Sequence, residues 1–404
     1  ESPFQCIFQR QITDLILVFE NEFDEIFCKR YTTDLYGYIF KLFKNLKHLS
    51  FVGSPPKFFP PLVLHNLPLT TFYSSTLYKL YIHVMYCDDL LALLDGRLKR
   101  LNTLNVVIIN REYNSTNTYN MNNLPDLKCF HLQYDSLSDT YDRQILPILR
   151  RMSNIEALNL HLTIDKQTKC IDGKHMYNEI IMHMSRLRAF NFYFCTFIRL
   201  NQSTQNFSND DILQTFPNMI CQKADCMIQY RCFNVKYHLF SLPFMFDYLS
   251  FIDNTFPNII FNHVIRLVLD DGIAFEHEFF MRIASSFPLL KVLHVLNHMP
   301  QSPMLNKINS NDNQLYLPVI EYPYLHSLDL ELAHHDYAEQ FLNDRKVHLP
   351  HLTKLTVYYH DLKIVTRNFT NSRTRFNCMK VKQLNLCCKT SIHSEDFYAY
   401  FPSL

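Results

Sequence analysis

Apolar residues recur in one pattern along the chain. Six segments begin with an apolar residue, often followed by Pro, and continue as L-x-x-L-x-L or a close variant: LPDLKCFHL (124–132), MSNIEALNL (152–160), MSRLRAFNF (184–192), FPLLKVLHV (287–295), YPYLHSLDL (322–330) and LPHLTKLTV (349–357). Looser copies lie at 12–17, 43–51, 75–82, 98–106, 261–269 and 378–386. Most consecutive copies start about 24 to 35 residues apart, and this spacing is typical of long leucine-rich repeats.

Between these segments the apolar period changes from two residues to 3.6. Apolar residues at i, i+3, i+4 and i+7 predict helices at 88–96, 138–152, 174–184, 275–287 and 336–345. Several of these segments follow Asp or Ser, which are preferred N-cap residues. Strand–helix units that stack side by side form a curved solenoid. The sequence therefore predicts an α/β fold: a single leucine-rich-repeat-like solenoid, or horseshoe, over residues 1–404, with a parallel β-sheet on the concave face and helices on the convex face.

One interval breaks the repeat period. The copies anchored at Leu187 and Val264 are much further apart than the others, and two further Phe-Pro pairs, at 216–217 and 256–257, lie between them. A strand-like segment, CMIQYRCFNVKYH (226–238), lies in the same interval. We expect irregular repeats at about 200–260.

The strand pattern also divides the side chains between two faces. In each L-x-x-L-x-L the marked positions point into the core, and the residues beside and between them point outward, because strand side chains alternate. The outward residues are neutral in the first half of the chain, with His, Asn and Tyr, and more acidic in the second half. Such side chains suit contacts with another protein. The predicted partner-binding residues of the concave face are Tyr81, His83, Asn105, His131, Gln133, Asn159, His161, Asn191, Tyr193, Asp270, His294, Asp329, Glu331 and Tyr358.

Composition narrows the class of partner and the compartment. Thirty-nine basic and 38 acidic residues give a net charge of +1, so the chain lacks the cationic surplus that favours nucleic acid or an anionic membrane. No apolar run approaches the roughly 18 residues of a membrane span. Five glycines leave little material for a phosphate-binding loop. Twelve scattered cysteines without a C-x-x-C pair are typical of a reducing compartment, which predicts a cytoplasmic or nuclear protein.

Histidines occur in three arrangements that have to be weighed as metal sites. The His-Glu pair at 277–278 begins like H-E-x-x-H, but Met281 occupies the fifth position, so the second imidazole of a zinc peptidase is missing. We expect this pair near the exposed start of a helix. His294 and His298 lie on and just after a strand, roughly 13 Å apart, and the HHD segment at 334–336 is expected to cap a helix. We therefore predict no metal, no cofactor and no catalytic residue, and hence no enzyme.

Six segments carry a resemblance to known proteins: RYTTDLYGYIFKLFKNLKHLSF (30–51), LLALLDGRLKRLNTLNV (90–106), LPDLKCFHL (124–132), FIDNTFPNIIFNHVIRL (251–267), FEHEFFMRIASSFPLLK (275–291) and HDYAEQFLNDRKVHLP (335–350). They resemble the carboxy-terminal repeat region of a large invertebrate family of F-box-containing leucine-rich-repeat-like proteins. The resemblance runs over essentially the whole chain.

This resemblance implies a non-catalytic substrate receptor of an SCF-type ubiquitin ligase, in which an F-box binds a Skp-type adaptor and the repeats bind an unknown target protein. The F-box is expected upstream of Glu1, so that binding of the adaptor depends on such a segment. The alternative is a free-standing leucine-rich-repeat module that binds, inhibits or scaffolds a protein without ubiquitin.

Overall fold

The computed structural model divides the chain into two compact units, unit 1 at Glu1–Leu242 and unit 2 at Pro243–Leu404. The residues that the structure describes are 9–18, 32–52, 61–65, 67–109, 126–135, 141–166, 170–200, 207–216, 223–231, 233–302, 318–387 and 395–404. The repeat pattern predicted one continuous array over 1–404, whereas the contacts within the chain concentrate in these two units.

Unit 1 is built on one large sheet. Its strands are β1 (Asp14–Val18), β2 (His48–Val52), β3 (Lys79–Val84), β4 (Thr103–Ile108), β5 (Cys129–Asp135), β6 (Ala157–Lys166), β7 (Ala189–Arg199), β8 (Lys223–Tyr230) and β9 (Asn234–Leu242). They lie in the order β1-β2-β3-β4-β5-β6-β7-β9-β8. The pairs from β1 to β7 are parallel, and β9 pairs antiparallel with both β7 and β8.

Unit 2 contains a second parallel sheet. Its strands are β10 (Tyr248–Ile252), β11 (Arg266–Asp270), β12 (Val292–Leu296), β13 (Ile320–Glu321), β14 (Ser327–Asp329), β15 (Val347–His348), β16 (Lys354–Tyr358) and β17 (Gln383–Cys387). Six of them form a sheet in the order β10-β11-β12-β14-β16-β17, and β13 pairs with β15. All of these pairs are parallel.

Short helices connect the strands. They are α1 (Gly37–Leu42), α2 (Cys87–Leu93), α3 (Leu146–Arg150), α4 (Gly173–Glu179), α5 (Asn209–Leu213), α6 (His277–Ser286), α7 (His335–Leu342), α8 (Tyr359–Val365), α9 (Ser372–Cys378) and α10 (Glu395–Tyr400), with π-helical turns at Thr32–Tyr36 and Tyr141–Ile145 and a 3-10 turn at Ile181–His183. In the described part of the chain, none of the helices is both long and apolar enough to cross a membrane.

The apolar strand positions of unit 1 form rows that run across the sheet. Ile82, Val106, Leu132, Leu160 and Phe192 are paired in register, and each is at most 2% exposed. Apolar residues of α2, α3 and α4 belong to the same core. Burying these rows removes apolar surface from water, which is the main favourable term in folding. The predicted alternation is confirmed in β3, β4 and β5. The α/β class with mostly parallel sheets is confirmed as well.

The predicted helices are also present. The five segments with helical spacing overlap α2, α3, α4, α6 and α7, three of which begin one residue before the predicted segment. At the start of α4, Asp172 accepts a hydrogen bond from the backbone N–H of His175 at 2.8 Å, which is the N-cap geometry that its residue type favours. Local periodicity and capping residues therefore predicted these helices correctly.

The irregular interval at about 200–260 contains antiparallel strands. β7 pairs with β9 from Tyr193 opposite Phe240 to Arg199 opposite Asn234, and β8 pairs with β9 along its whole length. The strand-like segment 226–238 belongs to both β8 and β9 and contains the reversal between them. Antiparallel neighbours need only a short connection, whereas parallel ones need a crossover. The repeat spacing is interrupted for this reason.

His277 lies in the core, and the expectation of an exposed position is wrong. It is 2% exposed. Its Nε2 lies 3.0 Å from the carbonyl oxygen of Pro318, and its Nδ1 lies 2.9 Å from the side-chain nitrogen of Gln340. A carbonyl only accepts and an amide nitrogen only donates, so the neutral tautomer with its proton on Nε2 satisfies both contacts. The partners come from chain segments that are remote in sequence.

Replacing His277 should therefore destabilise unit 2. His277→Leu leaves the Pro318 carbonyl and the Gln340 amide without a partner inside the core, which should cost about 3 kcal/mol. Urea denaturation followed by circular dichroism measures the loss. Glu278→Gln changes the next residue, which is exposed, and should alter stability by less than about 0.5 kcal/mol. Equal stability of the two variants would contradict the buried hydrogen bonds.

Candidate functional site

The parallel register brings the predicted residues of unit 1 into two rows on one sheet face. Both rows cross β3 to β7 and lie on the side opposite the apolar rows. The first row consists of Tyr81, Asn105, His131, Asn159 and Asn191, and the second consists of His83, Val107, Gln133, His161 and Tyr193. Neighbouring strands are about 4.8 Å apart, so each row is roughly 19 Å long.

Hydrogen bonds fix the orientation of side chains on this face. The amide nitrogen of Asn191 donates to the amide oxygen of Asn159 at 2.7 Å. The hydroxyl of Thr163 donates to a carboxylate oxygen of Asp135 at 3.0 Å. Cross-strand contacts of this kind hold polar groups in one arrangement. The face is therefore preorganised for hydrogen bonding.

Exposure changes along the two rows. Tyr81 is 39% exposed, and the Asn, Gln and His residues of β3 to β5 are half-buried. His161 and Tyr193 are only 1% and 0% exposed, so the prediction that these two residues lie on the surface is wrong. Their rings pack together with centroids 4.5 Å apart. The accessible part of the face therefore lies on β3 to β5 and the first outward residues of β6 and β7.

The buried end of the face contains a chain of polar contacts. The Tyr193 hydroxyl lies 2.9 Å from His238 Nδ1, and His238 Nε2 lies 4.0 Å from Cys195 Sγ. Burial, together with the charge of Lys236, lowers the pKa of His238 to about 3. Burial raises the pKa of the Cys195 thiol to about 12. At neutral pH the pair is a thiol and a neutral imidazole, not the thiolate that nucleophilic catalysis requires.

Acid should destabilise unit 1 through His238. The pKa of this residue is about 6.5 when unfolded and about 3 when folded, so between these values the unfolded chain binds a proton that the folded chain does not. Above about pH 6.5 this group should have no effect, and below it stability should fall by up to about 1.4 kcal/mol per pH unit. Urea denaturation at a series of pH values measures the slope. His238→Gln should remove the contribution of about one proton from the pH dependence of the unfolding free energy. An unchanged slope in this variant would refute the assignment to His238.

Two of the predicted residues of unit 2 share one row of the sheet, and the other three lie at or beyond the ends of strands. The row crosses β11, β12, β14, β16 and β17 and consists of Val268, His294, Asp329, Thr356 and Asn385. The remaining predicted residues lie at or beyond the carboxyl ends of strands and are not paired with one another: Asp270, Glu331 and Tyr358. The sheet thus brings together only His294 and Asp329 of this predicted group.

Cations on the same face offset the acidic character expected of this half. His294 Nδ1 lies 3.3 Å from Asp329 Oδ2, and Asp329 accepts a hydrogen bond from the backbone N–H of Glu331 at 3.0 Å. Burial alone would raise the pKa of Asp329, but these hydrogen bonds and the charges of His294 and Lys354 hold it below its usual value. Arg266 and Lys354 belong to the adjacent row. The face therefore has mixed charge.

Sequence reasoning missed His238 and Cys195. Cys195 lies two residues after Tyr193, so the strand period of two was a usable signal for the same face. His238 reaches Cys195 only through the antiparallel pairing of β7 with β9. A register derived from parallel repeats contains no signal for that contact.

One group of possible metal ligands stands out among the residues that the structure describes. The ligand atoms of His334, His335 and Asp336 all lie within 4.8 Å of one another. His334 precedes α7, and its Nδ1 lies 3.3 Å from the backbone N–H of Asp336, which confirms the expected capping position.

Comparisons with known proteins do not assign the chain to a family. No protein-family model matches the sequence, and no curated protein gives a match. The sheet faces and the repeat segments are therefore the features of the chain that bear on its function.

Proposed function

We propose that the chain is a non-catalytic recognition module that binds another protein through the outward rows of its parallel sheets. The observation that supports this most directly is the burial pattern of β3, β4 and β5, in which every second residue is buried and the residues between are not. Parallel sheets are usually covered on both faces, and their strands then read as continuous apolar runs. These strands instead keep one polar face, which is available to a partner.

This alternation also supports a leucine-rich-repeat-like solenoid. In such a solenoid each strand–helix unit contacts its neighbours, and the sheet lines an extended concave binding surface. The parallel order from β1 to β7 and the repeat spacing of about 24 to 35 residues are the features that favour it. The polar rows then occupy the concave surface and the helices occupy the convex one.

The chemistry of the rows favours a protein partner. Across β3 to β7 the two rows contain no Lys, Arg, Asp or Glu, and a phosphate backbone requires cations. Tyr, His, Asn and Gln offer apolar area together with hydrogen-bond donors and acceptors, as protein interfaces do. A nucleic acid and a membrane surface are therefore not proposed as partners. The proposed role of these rows is binding and not catalysis.

The resemblance of the repeat segments points to a ubiquitin-ligase substrate receptor. The module would hold the target protein, and a Skp-type adaptor would bind only through an F-box upstream of Glu1. Free thiols are present at Cys87, Cys129, Cys195, Cys226 and Cys378, which is consistent with the reducing cytoplasm or nucleus in which such ligases act. The second candidate is a free-standing leucine-rich-repeat protein that binds, inhibits or scaffolds another protein. This candidate is favoured if the same sheet face binds a partner and no adaptor is bound.

Affinity purification of the full-length gene product distinguishes these two functions. In a ubiquitin-ligase receptor, a Skp-type adaptor should co-purify, and the captured target proteins should accumulate when cullin activation is blocked. A free-standing module should capture the same targets with no adaptor and no response to the block. Capture of neither adaptor nor target would refute both candidates.

A further inference from the structure

Two histidines and an aspartate meet where α7 begins. His334 is the N-cap residue, and His335 and Asp336 open the helix. His334 Nδ1 lies 3.1 Å from one carboxylate oxygen of Asp336, and His335 Nε2 lies 3.5 Å from the other. The two imidazole rings are close, with centroids 4.0 Å apart. All three side chains are half-buried, so an ion from solvent can reach them.

One nitrogen of this group faces two conflicting neighbours. His334 Nδ1 is close both to the backbone N–H of Asp336, at 3.3 Å, and to the carboxylate of the same residue, at 3.1 Å. A lone pair on Nδ1 accepts from the N–H but repels the carboxylate, and a proton on Nδ1 does the reverse. A cation held between the imidazoles and the carboxylate relieves the repulsion, and the single lone pair of His334 Nδ1 then points at the ion in place of the backbone N–H of Asp336.

We propose that His334, His335 and Asp336 bind one divalent transition-metal ion of the class that prefers imidazole and carboxylate ligands, represented by zinc. Bonds of about 2.0–2.1 Å place the ligand atoms of a tetrahedral zinc site about 3.3 Å apart. One ligand atom of each residue already lies within 4.8 Å of the others, and the two imidazole nitrogens lie 3.1 and 3.5 Å from different carboxylate oxygens of Asp336. Three protein ligands leave a fourth position for water or for a side chain of a bound protein.

A neighbouring loop orients the carboxylate. The backbone N–H of Gln301 donates to Asp336 Oδ2 at 2.9 Å. Gln301 is itself 5% exposed, and its side chain donates to the carbonyl oxygen of Phe275 at 2.8 Å. Hydrogen bonds to a ligating carboxylate from outside the coordination shell fix its direction and support metal affinity. The aspartate is therefore positioned before an ion binds.

The local charge also favours a cation. The positive end of the α7 dipole disfavours a cation at this position, but the negative charge of three nearby carboxylates offsets the effect of the dipole. These carboxylates belong to Glu276, Asp336 and Asp271, each of which is close enough to interact with the Tyr337 hydroxyl. Glu276 Oε2 is buried and accepts no hydrogen bond from the described residues. Negative charge is thus concentrated around the start of α7.

Metal titration of the purified chain tests this site. The chain has 12 cysteines that can bind zinc elsewhere, so Co²⁺ is the better first probe. We expect one equivalent of Co²⁺ to produce visible d–d absorption without the near-ultraviolet charge-transfer band that thiolate ligands give, and Zn²⁺ to displace it. His335→Gln should weaken Co²⁺ binding at least about tenfold, with an unchanged circular dichroism spectrum.

His298→Gln is the matched control, because it removes an exposed histidine from the same unit outside the ligand group. It should bind Co²⁺ as the wild type does. A first equivalent bound with thiolate absorption, or equal affinity of wild type and His335→Gln, would overturn the proposal. This test does not depend on the protein-binding function.

Discussion

Leu160→Asp is expected to unfold unit 1. Leu160 is 0% exposed and lies between Leu132 of β5 and Phe192 of β7 in the apolar row. A carboxylate at this position has neither a partner nor water, and its burial should cost on the order of 5 kcal/mol. Stabilities of whole domains are about 5–15 kcal/mol. Stacked strand–helix units also depend on their neighbours, so the loss should spread beyond β6.

Amide hydrogen exchange in β5, β6 and β7 measures this effect directly. Leu160→Met keeps the volume and polarity and should cost less than about 1.5 kcal/mol. Asn159→Ala changes the next residue, which is half-buried on the opposite face, and removes one hydrogen bond worth about 1 kcal/mol. If Asn159→Ala exposed the strand amides as fully as Leu160→Asp, the assignment of the two faces would be incorrect.

Asn377→Leu should strongly destabilise unit 2. Asn377 is 1% exposed, and its side-chain nitrogen lies 3.1 Å, 3.2 Å and 2.8 Å from the carbonyl oxygens of Phe341, Leu342 and Val347. Its side-chain oxygen accepts from the backbone N–H of Leu349 at 3.0 Å. The first two carbonyls end α7, where the helix itself supplies no partner.

Leucine at this position removes hydrogen bonds from several buried backbone groups at once. Each costs about 1–3 kcal/mol when left without a partner, so we expect a total loss of about 4 kcal/mol in urea denaturation. Asn385→Leu makes the same substitution at an exposed position of β17 and should cost less than about 1 kcal/mol. Similar losses for both variants would show that Asn377 does not hold the end of α7.

The apolar period was sufficient to predict the paired rows of the sheets. Leu132 and Leu160 occupy equivalent positions in two copies of the repeat, so aligning the copies also aligned the strands. The same alignment placed Asn159 beside His131 on the other face. These results follow from local sequence, because side-chain alternation and repeat length are both local properties.

Burial on the outward face could not be predicted in this way. His161 and Tyr193 have outward positions, yet they are buried at the end of the sheet where antiparallel β9 brings His238 alongside. His277 looked like an exposed residue at the start of a helix, but Pro318 and Gln340 approach it from distant parts of the sequence. Both outcomes depend on long-range contacts that no single repeat contains.

The proposed partner-binding surface of unit 1 can be tested by a charge pair that preserves the fold. Asn105 and His131 are cross-strand neighbours on the half-buried part of the face. Asn105→Lys with His131→Glu introduces opposite charges that attract each other across the strands. The control, Asn178→Lys with Met182→Glu, introduces the same two residues at exposed positions in and just beyond α4.

Quantitative proximity labelling with the full-length protein compares the wild type with these two variants. The proteins labelled by the wild type should be labelled equally by the α4 variant and at least about tenfold less by the Asn105→Lys, His131→Glu variant, as loss of a central interface contact predicts. Equal labelling by both variants, or loss confined to the α4 variant, would contradict a partner-binding role for the outward rows of the unit 1 sheet.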